Sequence, residues 1–302
     1  MKGIFKLIIG LVVFIVFSLI VLLVVGIILV NMTPNKLKIG NKTIINGKSC
    51  NDLGIGDIKI KTMIRDFNEI KDKKNVVKNP YDEDAAKGEI LPILDTLGYV
   101  NDGVIDYQKL YEEGIDASAQ YYFEFSDKSV AYILNNSISY FTGDAETLTN
   151  FKFEVSEITF YGNKKELRAV YKLDISEFKN KLEKTIPSFV SRFIGMPKEV
   201  YFVCYYGVDV TTDGVLDLDY KNIYINDVDT PFSNAILRAF STEENDLAGY
   251  GNQLGKAISD AVSYLGKIGV ADVNSSNQII PGTEQYGAIG YKDGKIGMIC
   301  GN

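Results

Sequence analysis

The first pattern along the chain is an unbroken apolar one. Leu7 to Val30 is 24 residues without a charge, relieved only by Gly10, Ser18 and Gly26. At ~1.5 Å rise per residue, a helix of that length spans ~36 Å, enough to cross a ~30 Å hydrocarbon core with some tilt. Core helices of soluble proteins seldom run so far without a polar face. The stretch also exceeds the apolar region of a cleaved signal peptide. No Ala precedes Ala85 to make an A-x-A cleavage site, and no Cys follows closely enough to accept a lipid. The pattern predicts an uncleaved, single-pass signal-anchor.

Beyond the anchor the periods shorten. Lys36–Ile39 and Thr43–Ile45 alternate around Gly40-Asn41, which predicts a short hairpin. Asp57–Lys73 has helical spacing, with Ile60, Met63, Ile64, Phe67 and Ile70 on one face and Asp57 as N-cap. The charged run around Pro80 predicts a linker, and residues 90–119 predict two short helices around Asn101-Asp102-Gly103. Tyr121–Phe125 reads as a strand, followed by a helix capped by Ser126 or Asp127 with Val130, Ile133 and Leu134 inward. Phe151–Tyr161 with Glu166–Ile175, and Glu199–Val210 with Val215–Ile225, predict two hairpins. In the last of these strands Leu216, Leu218 and Tyr220 face one side and Asp217 and Asp219 the other, as in a half-buried antiparallel strand. Helices are expected over Glu177–Phe193, Pro231–Phe240 and Asn245–Ile268, the last with Gly251 and Gly255 admitting a close neighbour. Gln285–Gly301 predicts a final hairpin around Asp293-Gly294.

The fold class is therefore α+β: a single N-terminal transmembrane helix followed by antiparallel β hairpins wrapped on helices. The expected divisions are a short basic tail (1–6), the transmembrane helix (7–30), a membrane-proximal hairpin and helix (31–75), a linker (76–89) and an α+β extracytoplasmic body (90–302).

Charge sharpens this division. Residues 1–50 carry six Lys and no acid, whereas residues 51–302 carry 26 basic and 39 acidic residues, a net −13. Lys2 and Lys6 precede the span, and Lys36, Lys38, Lys42 and Lys48 follow it. A literal positive-inside count slightly favours a cytoplasmic body. Long domains translocate largely regardless of charge, and a short basic N-tail suits a signal-anchor, so the expectation is N-in with the body outside. The alternative is a cytoplasmic body. The acidic balance argues against nucleic acid, since phosphate binding needs a basic face. The chain has no His and no Trp, which excludes His-dependent triads and His-bearing zinc sites. Cys50, Cys204 and Cys300 match no metal spacing; Cys204 reads as a small buried hydrophobe, and Cys50 could pair with Cys300.

Several short motifs tempt and fail. Residues 101–110 resemble half of an EF-hand loop, but its end positions would fall on Gly98 and Lys109, where calcium needs oxygen ligands. Ser176 and Lys179 form an S-x-x-K, with Asn277 and Lys292 in later partial motifs, but Asp293 stands where a hydroxyl is required. Gly251-Asn-Gln-Leu-Gly255-Lys256 lacks the first Gly, the hydroxyl and the preceding strand of a phosphate loop. Asp209, Asp213, Asp217, Asp219, Asp227 and Asp229 read as turn and solvated-face acids rather than a glycosidase pair. No cofactor and no metal is expected.

What remains is a strand apolar on both faces. In Glu199–Val210, Tyr201, Val203 and Tyr205 alternate with Phe202, Cys204 and Tyr206. Such a strand must be covered on both sides, by helices, a partner or a ligand. The expected lining of an apolar groove is Tyr201, Val203, Tyr205, Leu216, Leu218, Leu254, Ile258 and Val262.

Two stretches carry a resemblance. SDKSVAYILNNSI (126–138) resembles the helix entry of membrane-anchored Firmicutes proteins of the YpmS-like type, and VDVTTDGVLDLDYKNIYINDVDTP (208–231) resembles their strand, Asp-Gly turn, strand and closing Pro. Similar strand patterns occur in bacterial relatives of the tubular lipid-binding superfamily. The resemblance covers about residues 121–240 and brings no catalytic signature. It implies an extracytoplasmic lipid- or envelope-binding domain and assigns no binding residue. The functional expectation is a membrane-anchored, non-enzymatic envelope protein, in contact with the lipid bilayer, that binds a lipid-like ligand or a protein partner. The alternatives are a scaffold subunit of an envelope complex without ligand and, more remotely, a Ser- or carboxylate-dependent hydrolase.

Overall fold

The computed structural model describes residues 31–45, 47–112, 121–142, 152–161, 164–174, 176, 197–210, 216–240, 247–266, 284–286, 289–292 and 295–300. The span expected over Leu7–Val30 and the helix expected over Glu177–Phe193 lie outside them. Among the described residues, no helix is long and apolar enough to cross a membrane.

The body is α+β, with antiparallel sheets and helices. Its centre is a four-stranded meander in the order β6 (Lys152–Tyr161), β7 (Glu166–Asp174), β8 (Glu199–Val210) and β9 (Leu216–Ile225). One face builds the main core with α4 (Asp127–Thr142) against β6 and α6 (Leu247–Gly266) against β9. Val130, Ile133 and Leu134 of α4 are buried as their spacing requires. A second sheet runs β10 (Glu284–Tyr286), β11 (Ile289–Lys292), β12 (Lys295–Cys300) and β5 (Tyr121–Ser126), so the C-terminal strands pair with the strand leading into α4.

The long helix α6 meets the sheet through glycine. A Cβ on Gly251 would lie 2.0 Å from the Tyr220 ring, and one on Gly255 would lie 2.7 Å from the Tyr206 ring. Both rings therefore occupy the space a side chain would need. The Tyr206 hydroxyl donates to the Gly251 carbonyl at 3.0 Å. The glycine pair is a packing notch, which also disposes of a phosphate loop there, since the residues are helical throughout.

The segment from Asn31 to Asn75 differs from its expectation. β1 (Thr43–Ile45) pairs with β2 (Lys48–Ser49), and Lys36–Ile39 lies in turns instead of forming a strand. The amides of residues 37–40 are spent on the carbonyls of Thr33, Pro34 and Asn35, so they are not free to donate to a partner strand. Helix α1 (Ile60–Asp72) starts later than expected, and its N-cap is Lys59 with no side-chain cap bond. Asp57 instead accepts from Asn35 Nδ2 at 2.9 Å. Ile60, Met63, Phe67 and Ile70 are buried as expected.

The expected linker at 76–89 is not one. Val76 is buried, and residues 76–81 form an irregular strap across the sheet, from Val170 and Val203 to the Ser156 carbonyl of β6. Helix α2 (Glu83–Thr96) then begins, capped by the Asp82 carboxylate accepting from Ala85 N at 3.0 Å. The two short helices expected over 90–119 are α2, a small hairpin of β3 (Val100–Asn101) with β4 (Val104–Ile105), and α3 (Tyr107–Glu112). Asp102 and Gly103 both take positive φ (50° and 77°), the left-handed pair that a two-residue hairpin turn requires. The segment ending in α1 is thus tied to the rest of the fold. Asn226 Nδ2 donates to the Ile70 carbonyl in the last turn of α1 at 2.7 Å, and α1 packs on α5 (Pro231–Phe240).

Candidate functional site

The densest polar cluster among the described residues lies on the sheet face opposite the main core. A β-bulge creates it. In β6, Val155 opposes Tyr171 and Glu157 opposes Val170, with Ser156 as the extra residue. Without that residue, strict alternation would put Glu157 beside Val155 in the apolar core. The bulge turns the carboxylate to the other face, and the freed Ser156 carbonyl accepts from Tyr81 N at 2.9 Å. On α4, Asn135 closes the same irregularity, accepting from Val155 N at 2.6 Å and donating to the Val155 carbonyl at 3.0 Å.

Arg168 of β7 stands across from Thr159 and Tyr205 on this face. Its Nη1 donates to Glu157 Oε1 at 2.5 Å, with side-chain exposures of 1% and 0%. Its Nη2 donates to the Val76 carbonyl at 2.6 Å and reaches Asp227 at 3.4 Å, and its Nε reaches the Tyr205 hydroxyl at 3.3 Å. Glu157 also accepts from the Lys78 and Asn79 amides, at 2.5 and 3.0 Å, and from the Thr159 hydroxyl at 3.1 Å. Tyr205 donates to Asp227 at 2.8 Å, and the Lys78 ammonium lies 3.5 Å from the same carboxylate.

The electrostatics follow from that enclosure. Burial disfavours the Arg168 charge, but the Glu157 carboxylate and the Tyr205 hydroxyl more than offset it and hold the guanidinium charged. Burial would likewise raise Asp227; the Tyr205 hydroxyl, Arg168 and Lys78 overcome it and keep that carboxyl below its usual range. Burial and the bond to Asp227 push the Tyr205 phenol up to about 12. Each ionic member thus has its complement inside the cluster, and two strap amides and one strap carbonyl are bound by it. Chemically this is a clamp that fastens the strap to the sheet.

The expected groove residues divide between the two faces. Tyr201, Val203 and Tyr205 pack with Val170 beneath Val76 and Val77 of the strap. Leu218, Leu254 and Ile258 lie in the main core on the other side, 9%, 8% and 0% exposed. The side chains of Leu216 and Val262 lie outside the described residues. The two-sided apolar strand is real, but its covers are the chain's own strap on one face and its helices on the other. Of the candidate acids, Asp217, Asp219 and Asp209 are exposed on β8 and β9, while Asp227 belongs to the clamp. Asn226 and Asp227 both take positive φ (51° and 59°) in the turn after β9, which aims Asp227 back over the sheet. Asn and Asp are residue types that favour such a turn, but nothing local to this pair points to Arg168. Ser176 is described, with its amide donating to Asp174 at 2.8 Å; Lys179 and Asn277 lie outside the described residues.

A second carboxylate cluster lies at the start of α4. Glu89 of α2 accepts at one oxygen from Ser126 N, Ser126 Oγ and Ser129 Oγ, at 2.8, 2.6 and 2.6 Å. It caps a neighbouring helix where the dipole favours an anion. Asp127, buried beside it, accepts from Phe160 N at 3.3 Å with Oδ2, while Oδ1 is enclosed without a partner. Burial lifts the Asp127 carboxyl well above its ordinary range; the Phe160 amide opposes this, and Glu157 and Glu89 reinforce it. Cys50 and Cys204 are free, buried thiols. No group of three or more metal-ligating acids or thiols occurs among the described residues.

Comparison with protein-family models, with curated proteins and with solved structures gives no match.

Proposed function

We propose that this chain is a membrane-anchored, non-catalytic interaction protein of the cell envelope, a scaffold whose body meets partners through its polar surface. The observation that carries the reading is the double covering of the central sheet. The residues that would line an apolar groove are occupied on one face by Val76 and Val77 and on the other by α6. The strongest ionic cluster is spent internally on holding the strap. Val104, 64% exposed, is the one large apolar side chain left open among the described residues, so away from it a partner would meet polar surface. Residues 51–302 carry the net −13 that would select a basic or polar partner surface.

The test is photo-cross-linking of the full chain in native membranes, paired with lipid analysis of the detergent-purified protein. Discrete cross-linked adducts from body positions, with no stoichiometric lipid surviving detergent exchange, are expected. One equivalent of a defined lipid retained through exchange would overturn the scaffold reading in favour of a lipid carrier.

A further inference from the structure

The charge of this protein is segregated in a way the fold makes spatial. Residues 31–61 carry six Lys against two Asp, a net +4, whereas residues 62–302 carry 24 basic against 37 acidic residues, a net −13. The basic segment is folded into a tight knot. Met32 O accepts from Ile60 N at 3.0 Å, and Asn35 N donates to the Gly56 carbonyl at 3.0 Å. Asn51 N donates to the Gly40 carbonyl at 3.0 Å. The Asn35 and Asn51 side chains fill the places that Cβ atoms would take on Gly40 and Gly56.

These pairings decide which lysines surround the point where the apolar stretch joins the body. Met32 is bound to Ile60, so Lys59 and Lys61 flank the junction on one side. The turn from Pro34 to Gly40 folds back on Thr33 and Pro34 and places Lys36 and Lys38 beside it, with Lys42 next in sequence. All five are exposed, and none takes part in an ion pair among the described residues. Lys48, by contrast, is half-buried with its ammonium donating to the Arg238 carbonyl at 2.5 Å. The two acids of the segment are engaged: Asp57 holds Asn35, and Asp52 accepts from the Ser49 amide and hydroxyl, both at 2.7 Å.

We propose that this lysine-rimmed knot is a docking surface for anionic phospholipid headgroups, which seats the body directly on the bilayer instead of leaving it on a flexible stalk. The proposal rests on the anchor reading of Leu7–Val30. That stretch ends at Val30, two residues before the Met32 carbonyl is fixed to α1, so little free chain separates the two. Basic residues next to a span gain free energy from an anionic surface within about a Debye length. The remainder of the chain, net −13, is repelled by the same surface, which favours the lysine-rimmed face as the one that meets it.

The test uses the full chain in vesicles of phosphatidylcholine alone or with phosphatidylglycerol, footprinted by lysine acetylation and peptide mass spectrometry. Lys36, Lys38, Lys42, Lys59 and Lys61 are expected to be acetylated several-fold more slowly with phosphatidylglycerol. Lys221 and Lys256, on β9 and α6, are expected to react alike in both, and 0.5 M salt, taken as roughly the level that shortens the screening length to ~4 Å, should erase the difference. The variant Lys36→Gln/Lys38→Gln/Lys59→Gln/Lys61→Gln replaces only exposed, unpaired side chains, and its unfolding temperature reports that it folds. In it, Lys42 should lose its lipid-dependent protection. Equal reactivity in both vesicles, or protection independent of lipid charge as a protein contact would give, overturns the proposal while the chain still resists carbonate extraction. Release by carbonate from both vesicles overturns the anchor reading, and the headgroup surface with it.

Discussion

Arg168 Nη1 lies 2.5 Å from Glu157 Oε1, with neither side chain reaching solvent. The pair lies in adjacent strands, yet its other bonds reach across the sequence to Val76, Lys78 and Asn79. It therefore joins the strap to the sheet rather than the strands to each other. Breaking a buried pair by removing one partner typically costs about 3–5 kcal/mol, because the remaining charge is left uncompensated. Glu157→Gln and Arg168→Met should each destabilise by that order in urea unfolding. Both should expose Lys78 to trypsin before global unfolding. The double variant should cost less than the sum of the singles. Full additivity in that cycle, or unchanged cleavage at Lys78, would show that the pair does not hold the strap.

The helical glycines predict opposite effects of one substitution. Gly251→Ala puts a methyl 2.0 Å from the Tyr220 ring and Gly255→Ala puts one 2.7 Å from the Tyr206 ring. Overpacking of this kind costs about 1–3 kcal/mol, more than the ~1 kcal/mol that Ala gains over Gly in a helix. Gly251→Ala should be the worse of the two. Gly88→Ala in α2 meets nothing within 4 Å and should raise the unfolding temperature. Three thermal melts decide the ordering.

Asp127 gives the stability a pH slope. Its folded-state affinity for a proton exceeds that of the unfolded chain, chiefly because burial penalises the charged form. Between the ordinary carboxyl range and the raised folded value, the native state binds more protons than the unfolded state. Stability is therefore lost as pH rises through that window. Asp127→Asn keeps an acceptor for Phe160 N and cannot ionise. It should unfold at higher urea than the parent at pH 8, with the advantage shrinking toward pH 4. A constant difference across pH would remove Asp127 as the source of the slope.

Cys204 should be inert. It is 0% exposed in the core, and burial pushes its thiol up to about 12. Thiolate is the reactive form, so alkylation at pH 8 followed by peptide mapping should leave Cys204 unlabelled in the folded protein and labelled in 8 M urea, roughly the strength used for full unfolding.

Much of this architecture was legible from pattern alone. The strands of the central meander, α5 and α6 begin and end within a few residues of their predicted bounds, because alternation and helical spacing report burial directly. The Gly251/Gly255 notch was legible too, since two glycines four apart lie on one helix face. The errors share a cause. Asn101-Asp102-Gly103 reads as a helix-connecting turn because the two strands it joins are only two residues each. Residues 76–81 fall within the expected linker 76–89 because Pro80 and the charged residues on either side mask the two valines that dock. The expected groove set rests on apolar character, which cannot separate the two faces of a sheet once both are covered.

By itself, the sequence determined the apolar stretch Leu7–Val30, the segregation of basic and acidic charge, the α+β class and the period of each strand and long helix. Those features depend on composition and on neighbours within a few positions. Tertiary structure decided the clamp. One extra residue, Ser156, sends Glu157 away from the core, and the left-handed turn at Asn226-Asp227 brings a second carboxylate over Arg168. A bulge changes the side-chain period by one without a clear mark in the sequence, and the partners gathered in the clamp lie 11 to 92 positions from Arg168. Only the folded chain places them within a hydrogen bond of each other.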